Sequence, residues 1–592
     1  MKPDSPFRKA INAIEVWVSV FAMLLLILVV SIQVFCRYVL QDSLAWTEEL
    51  ARYLVIWSVL FGCSFAMRTD SHLELSILSN FSGPRMKKYV KCFSCIVCLA
   101  FSIIMVYAGM ESVINIHWSE QLTPAMQLPA WIIWMAMPAG FGLMGIQAIL
   151  RCVDEIAKNV EHSIIKGNNM DPVLLTTFGT LIVLLIFTVP IGVSIGTAVF
   201  MGMMVGGLPP VFLAQKMYSA LDSFPLLAVP FFIVAGDIMQ KGTIANSLLA
   251  VSRCLVGHIK GGMAHISILT SLFYGALSGS AAATVAAVGG IMIPAMEKEG
   301  YPKEFATAVN STSGCLGIMI PPSIPLILFG STAGVSISDL FVATIVPGIL
   351  MGCALMLVSY VICVRRKYGK TVARAKFAEM LKALYEAKWA IMVPVIVLGG
   401  IYGGITTPTE AGAIAVVYAL FVEVFITRSM TRKLFFEIIK SSVRINAAIF
   451  LVVASATALG QIMMYYNLSA AVLDTIMGIS TSKVVIMALI LVVLLILGTF
   501  LEAAAIIMIV TPLLLPVINA IGVDPVHFGI IMLTSFAVGG QTPPVGMTLF
   551  VGASIAKISI ERLSIASIPY ILTLVVMLVI IAFVPQLSLC LI

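Results

Sequence analysis

Two proline pairs stand where an apolar chain has little use for them. Pro321-Pro322 lies in GIMIPPSIP (317–325) and Pro543-Pro544 in GGQTPPVGM (539–547), both within hydrophobic stretches. Inside a helix each proline removes a backbone donor and collides with the preceding turn, a cost of about 3 kcal/mol. In hydrocarbon the released carbonyls need partners, so such a break persists only within protein or beside a wet cavity. Freed carbonyl oxygens are hard ligands suited to an alkali cation, and the N-terminus of a half-helix attracts an anion. Upstream of each pair runs a stretch of small residues, GALSGSAAA (275–283) and GTFLEAAA (498–505). Such a stretch fits the tip of a re-entrant hairpin, where another backbone approaches closely. A kinked but packed helix would explain one isolated proline pair; it suits two matched ones less well. Glu502 brings an acid to the second tip where the first has Gly279. An ionisable group inside a membrane is a functional candidate. Three roles suit it: cation ligand, proton exchanger, or a carboxylate satisfied by backbone amides at a helix start.

The elements that position these residues are membrane helices. Of 592 residues, 60% are hydrophobic and 11% charged, whereas soluble domains carry about 25% charged residues. Apolar runs approaching the roughly 20 residues of a span recur from end to end, as in Val16–Cys36 and Val484–Leu497. The fold class is an all-α polytopic membrane protein with well over a dozen expected spans, which excludes single-pass and monotopic arrangements. Lys2, Arg8 and Lys9 precede the first apolar run. That run is too long for a signal peptide and lacks a small-residue cleavage site, so it is expected to remain as the first helix.

Residues 1–151 form a four-helix module, with spans expected near 13–38, 50–67, 91–110 and 129–150. Arg68, Arg85, Lys87, Lys88 and Lys91 lie between the second and third spans and Arg151 follows the fourth, while loop 111–129 holds no Lys or Arg. By the positive-inside rule the N-terminus and residue 151 are cytoplasmic. Residues 152–171 space Val153, Ile156, Val160 and Ile164 helically beside charged residues, which reads as an amphipathic linker helix on the cytoplasmic surface. The remainder divides into two halves, 172–364 and 389–592, around a basic cytoplasmic connector, 365–388. The halves share an ordered series of motifs: the two tips, EGYPKEF (299–305) with GVDPVHF (522–528), PPSIPLILFGSTAG (321–334) with PPVGMTLFVGASIA (543–556), and VPGIL (346–350) with IPYIL (568–572). Such a series indicates duplication of a membrane half-domain. Matched interruptions in two repeats point to a secondary transporter's binding site. The net charge of +7 sits in short loops as an orientation signal and does not indicate nucleic-acid binding; its basic faces also suit anionic membrane lipid.

ALSGSAAATVAAVGGIMIPAM, GIMIPPSIPLILFG, GGITTPTEAGAIAVVYAL and GGQTPPVGMTLF resemble the large membrane subunit of tripartite ATP-independent periplasmic (TRAP) transporters. VFCRYVLQDSLAWTEELARYLVIWSVLFGCSFAMR (34–68) resembles the four-helix small subunit of that family. The two would be fused here through the 152–171 helix. The resemblance implies sodium-coupled uptake, across the bacterial inner membrane, of an organic anion such as a sialic acid, a C4-dicarboxylate or a sugar acid. A periplasmic substrate-binding protein would deliver the anion, the large-subunit part would move as an elevator, and the small-subunit part would enlarge the static scaffold. Sodium is the coupling ion and no other cofactor is expected. The alternative within transport is a stand-alone ion/carboxylate symporter that needs no binding protein.

By the same resemblance Ser278, Ser280 and Ser323 match positions near the substrate, and the serine carbonyls, Ser278 included, can face the first ion. Hydrogen bonding between helices is the alternative for these serines. Gly317 and Ile320 would give carbonyls to that ion, with Asn310 as a neighbour. The repeat assigns Gly539 and Thr542 the equivalent role, with a carbonyl from Gly498 or Thr499 completing a second cation site beside Glu502. Glu410, after Thr407-Pro408-Thr409, is expected to cap a helix, and Asp237 to hydrogen-bond structurally. Trp46, Glu48, Glu49 and Arg52 are expected to support the scaffold.

Other signals lead elsewhere. Cys92, Cys95 and Cys98 lie on an apolar helix without flanking ligands, so no transition-metal site is expected. GFGLMG (140–145) follows no strand and reads as close helix packing. A membrane-embedded enzyme would need a converging acid, base or nucleophile set; Gly236-Asp237 has no partner motif, and H-E-x-x-H and G-x-S-x-G are absent.

Overall fold

The computed structural model describes residues 6–42, 44–69, 71–74, 84–156, 172–242, 244–369, 373–466, 473, 476–480, 482–543 and 545–592. Backbone packing divides the chain into two compact units, Met1–Pro230 with Ile439–Val472 and Met508–Leu513, and Phe231–Ile438 with Leu473–Ile507 and Leu514–Ile592. Among the described residues ten helices are long and apolar enough to cross a membrane, and thirteen if three sharply bent pairs each count as one span. The sequence suggested more, because several apolar segments, such as Ile191–Gly206 and Pro525–Gly539, are too short to cross alone.

In the first unit the four expected spans are helices Pro6–Phe35, Ala45–Arg68, Pro84–Trp118 and Ala136–Ile156. Glycines let them approach closely. A methyl group on Gly140 would lie 2.8 Å from the Leu60 carbonyl oxygen, and one on Gly145 would lie 3.2 Å from Ser102 Cβ, so GFGLMG is a packing surface. Glu15 is fully buried between these helices and accepts hydrogen bonds from Arg68 Nε (2.5 Å), Ser64 Oγ (2.7 Å) and Gln147 Nε2 (3.1 Å). A buried carboxylate is tolerable only when paired in this way. Near the opposite end of Ala45–Arg68, Glu49 accepts from Tyr53 (2.8 Å) and from the amides of Ala125 (2.5 Å) and Met126 (3.1 Å). Glu48 accepts from Gln33 and Arg52 pairs with Asp222 at 2.6 Å, so Glu48, Glu49 and Arg52 tie helices and loops together, while Trp46 is exposed. The fourth helix runs on to Ile156. The first five residues of the expected 152–171 linker therefore continue it, and residues 157–171 lie outside the described residues.

Residues 262–583 carry one order of elements twice. Gly262–Ser278, a tip, and the helical stretch Ala281–Lys298 precede the interrupted pair Lys303–Met319 and Ile324–Ala333, then the long helix Ile345–Arg366. Lys483–Phe500, a tip, and Ala503–Ala520 precede the interrupted pair Pro525–Gly539 and Met547–Ala556, then Ile560–Phe583. The connector 365–388 includes the helix Phe377–Glu386, started by Glu379 accepting from the Lys376 amide at 3.0 Å. Thr407 and Glu410 form the reciprocal cap that the sequence suggested: Thr407 N–H donates to Glu410 Oε2 (2.9 Å) and the Glu410 amide donates to Thr407 Oγ1 (3.3 Å).

Candidate functional site

The first tip is made by a chain reversal that requires glycine. Helix Gly262–Ser278 ends on Gly279 in the left-handed conformation (φ 59°), and Ser280 is extended before the next helical turn. The two serines are bonded within this turn. Ser278 Oγ lies 3.0 Å from Thr284 Oγ1, Ser280 Oγ accepts a long bond from the Ala283 amide (3.4 Å), and Thr284 Oγ1 donates to the Ser280 carbonyl (2.9 Å). The tip then passes through a π-helical turn, Val285–Gly289.

The first break lies against this tip. Proline nitrogens at 321 and 322 cannot donate to the carbonyls four residues earlier, those of Gly317 and Ile318. Ile320 and Ser323 are extended, and the Pro321-Pro322 peptide is cis. A methyl group on Gly279 would lie 2.8 Å from the Pro322 carbonyl oxygen, one on Gly275 2.6 Å from the Leu316 carbonyl oxygen, and one on Gly317 2.6 Å from the Ser280 carbonyl oxygen. Three glycines thus let bare backbone from tip and break meet, bringing Ser278, Ser280, Gly317 and Ser323 into one region. Ser323 is completely buried, and its Oγ has no hydrogen-bond partner among the described residues. The Met319 carbonyl is satisfied by Thr344 Oγ1 at 2.8 Å. Asn310, seven residues before Gly317, accepts from Ser267 Oγ (2.6 Å) and donates to the Ala306 carbonyl (2.8 Å), tying its helix to the first hairpin.

The second tip and break meet in the same manner. A methyl group on Gly539 would lie 2.7 Å from Gly498 Cα, and one on Gly498 would lie 3.2 Å from Gly539 Cα. Thr499 Oγ1 bonds back to the Ile496 carbonyl (2.8 Å). Glu502 stands at the N-cap of Ala503–Ala520 but makes no side-chain capping bond, and its Oε2 is buried without a hydrogen-bond partner among the described residues. Satisfaction by helix-start amides, one of its three possible roles, is therefore not what this carboxylate does. After Gly539 the chain turns rather than ending abruptly. Thr542 N–H donates to the Gly539 carbonyl (2.9 Å), Thr542 Oγ1 donates to Val538, and Thr548 covers the Gly540 carbonyl. Pro544, expected to help hold this break open, lies outside the described residues.

Two groups escaped the sequence reading. Thr284 is the hub of the first tip; it stands six residues after Ser278 in SGSAAAT, where a hydroxyl closing an alanine run was the available signal. Gln541 is wholly buried, donates Nε2 to the Ala537 carbonyl (3.1 Å) and leaves Oε1 without a partner among the described residues. It was visible as the amide inside GGQTPP. Orphaned buried oxygens thus occur at both breaks, on Ser323 and Gln541, and at the second tip on Glu502. Such atoms are costly, at about 1–3 kcal/mol each; others occur elsewhere among the described residues, as on Thr177, Ser455 and Ser567, so it is their place at tip and break that singles these three out.

Comparison with known proteins agrees with this architecture. Residues 178–587 match the family described as "Tripartite ATP-independent periplasmic transporter, DctM component", and residues 26–158 match its DctQ component. The isethionate TRAP transporter permease protein DctMQ of Oleidesulfovibrio alaskensis is 36% identical over 96% of this chain and 92% of its own length. The sialic acid TRAP transporter large permease protein SiaM of Vibrio cholerae is 38% identical over 64% of this chain and 89% of its own. The C4-dicarboxylate TRAP transporter large permease protein DctM of Pseudomonas aeruginosa is 36% identical over 64% of this chain and 88% of its own.

Proposed function

Because the chain belongs to the TRAP transporter permeases and carries both membrane components in one polypeptide, we propose that it performs sodium-coupled uptake of a small organic anion delivered by a periplasmic substrate-binding protein. The chain is a multi-pass inner-membrane transporter component and not an enzyme. The relatives above are named for isethionate, sialic acid and C4-dicarboxylates, all acidic organic solutes, which supports a carboxylate or a sulfonate as the substrate. The observation that carries the reading is the pairing of each small-residue tip with a proline break across bare glycine backbone, with orphaned oxygens left on Ser323, Gln541 and Glu502.

In this mechanism Ser278, Ser280 and Ser323 receive the anion's acidic group. Carbonyls of Gly317 and Ile320, with those at the first tip, hold one sodium ion. Glu502, Gly498 or Thr499, Gly539 and Thr542 hold another. Sodium brings tip and break together and so forms the anion site, which couples the two fluxes. The hairpins and broken helices then move as a body against the scaffold, and the N-terminus faces the cytoplasm. The test is uptake into proteoliposomes. Solute should accumulate only with an inward sodium gradient and the cognate binding protein; equal accumulation without the binding protein would favour a stand-alone symporter, and equal accumulation on a proton gradient alone would refute sodium coupling.

A further inference from the structure

A cavity of about 330 Å3 opens beside the first hairpin, away from the tip–break contact, and the mechanism above gives it no task. One wall is the end of helix Ala228–Lys241, with Gln240 and Lys241. A second is the hairpin's first helix, with Thr270 and Tyr274. The floor is the π-helical turn and its continuation, Ala286 to Met292. Thr270 and Tyr274 are nine-tenths or more buried, yet neither hydroxyl has a hydrogen-bond partner among the described residues. They lie four residues apart, hence on one helix face, and Tyr274 precedes Ser278 by one turn, a rise of about 6 Å. Gly236, one turn before Gln240, packs against Leu277 and Ser278 at the tip. Cavity and tip are therefore consecutive stations along the same two helices.

The lining has the chemistry of an anion site. Lys241 supplies a positive charge, Thr270, Tyr274 and Gln240 supply donors, and Ala286, Ala287, Val288, Ile291 and Leu249 face a short carbon skeleton. Two carboxylates lie nearby without lining the cavity: Asp237, one turn before Lys241 on the same helix, acts on Tyr274, and Glu423, which lies against Gly242, is bonded by the Thr427 and Ser429 hydroxyls, so Lys241 is the positive charge set against them at the cavity wall. We infer that this cavity is a second binding station for the transported carboxylate or sulfonate, in which Lys241, Thr270 and Tyr274 hold its acidic group after it leaves the serines of the tip. π-Helical turns recur at functional sites because the widened turn opens space beside the helix, and here that space is the cavity floor. The inference rests on the transport reading.

The test compares uptake of labelled isethionate, succinate and N-acetylneuraminate by full-length protein in liposomes, with sodium and binding protein supplied. For the solute that wild type carries, Lys241→Met and the double variant Thr270→Val/Tyr274→Phe should each lower uptake at sub-saturating solute by about tenfold, the scale of one charge-assisted hydrogen bond. The sodium concentration giving half-maximal uptake should stay unchanged, and Lys241→Arg should retain most activity. If Lys241→Met fails to fold, as judged by its melting temperature, the hydroxyl variants and Lys241→Arg still decide the matter. Uptake by Lys241→Met and the double variant equal to wild type would overturn the station alone, whereas no uptake by wild type of any solute would remove the transport reading with it. Repeating the comparison in phosphatidylcholine with and without phosphatidylglycerol separates the two sources of an anion. A deficit that is the same in both supports the solute; a deficit confined to the anionic vesicles would assign the cavity to a lipid headgroup and overturn the proposal.

Discussion

Gly498 and Gly539 face each other with no side chain between them, so the space at the second tip is set by two backbones that cannot move aside as a side chain would. Gly539→Ala would force a methyl group to within 2.7 Å of Gly498 Cα. Overpacking of this kind typically costs about 1–3 kcal/mol, and the accompanying displacement should abolish uptake even in the fraction that folds. Gly399→Ala, within the helix Lys388–Tyr402, is the matched control, because a methyl group there meets nothing within 4 Å; its uptake and melting temperature should equal those of wild type. Glu502 invites a charge-only change. Glu502→Gln keeps size and hydrogen-bonding capacity but removes the negative charge, and the sodium concentration for half-maximal uptake should rise about tenfold. An unchanged sodium dependence would leave this carboxylate without a role in cation binding.

The broken helices explain why prolines were the most informative residues in the sequence: proline's lack of an N–H is a property of the residue itself and needs no partner to be read. The same holds for Glu410 after Thr407, whose cap is local. The breaks nevertheless differ in a way the shared Pro-Pro motif hid. At the first, the Gly317 carbonyl faces Pro321 four residues on; at the second, the Gly539 carbonyl is already met by the Thr542 amide at 2.9 Å. Pro321→Ala would let helix continue through Ile320, which is extended here, and so give the Gly317 carbonyl a donor, and should weaken sodium dependence about tenfold, whereas Pro543→Ala should change it by less than about twofold. Sodium titration of uptake in the two variants checks this, and equal effects would contradict it. What sequence reading missed depends on packing in three dimensions. The π-helical turn at Val285–Gly289, the Thr284 hub and the orphaned Gln541 oxygen arise from how hairpin and break meet, and no local propensity marks them.

At the scale of the whole chain, polar groups are placed sparingly. Buried charge in the four-helix module is paired, as Glu15 is with Arg68, Ser64 and Gln147, which suits a part that must hold its shape. In the other unit Ser323, Glu502 and Gln541 keep buried oxygens without a hydrogen-bond partner among the described residues at the tips and breaks, which suits a part that must bind and release. The central claim is that sodium and the organic anion share that second set of groups and therefore move together. Its most direct test is the simultaneous measurement of radioactive sodium and labelled solute entering the same proteoliposomes. Addition of solute-loaded binding protein should stimulate sodium entry in fixed proportion to solute entry, and Glu502→Gln and Pro321→Ala should lower both together at limiting sodium. Solute entry with no accompanying sodium entry would contradict the account.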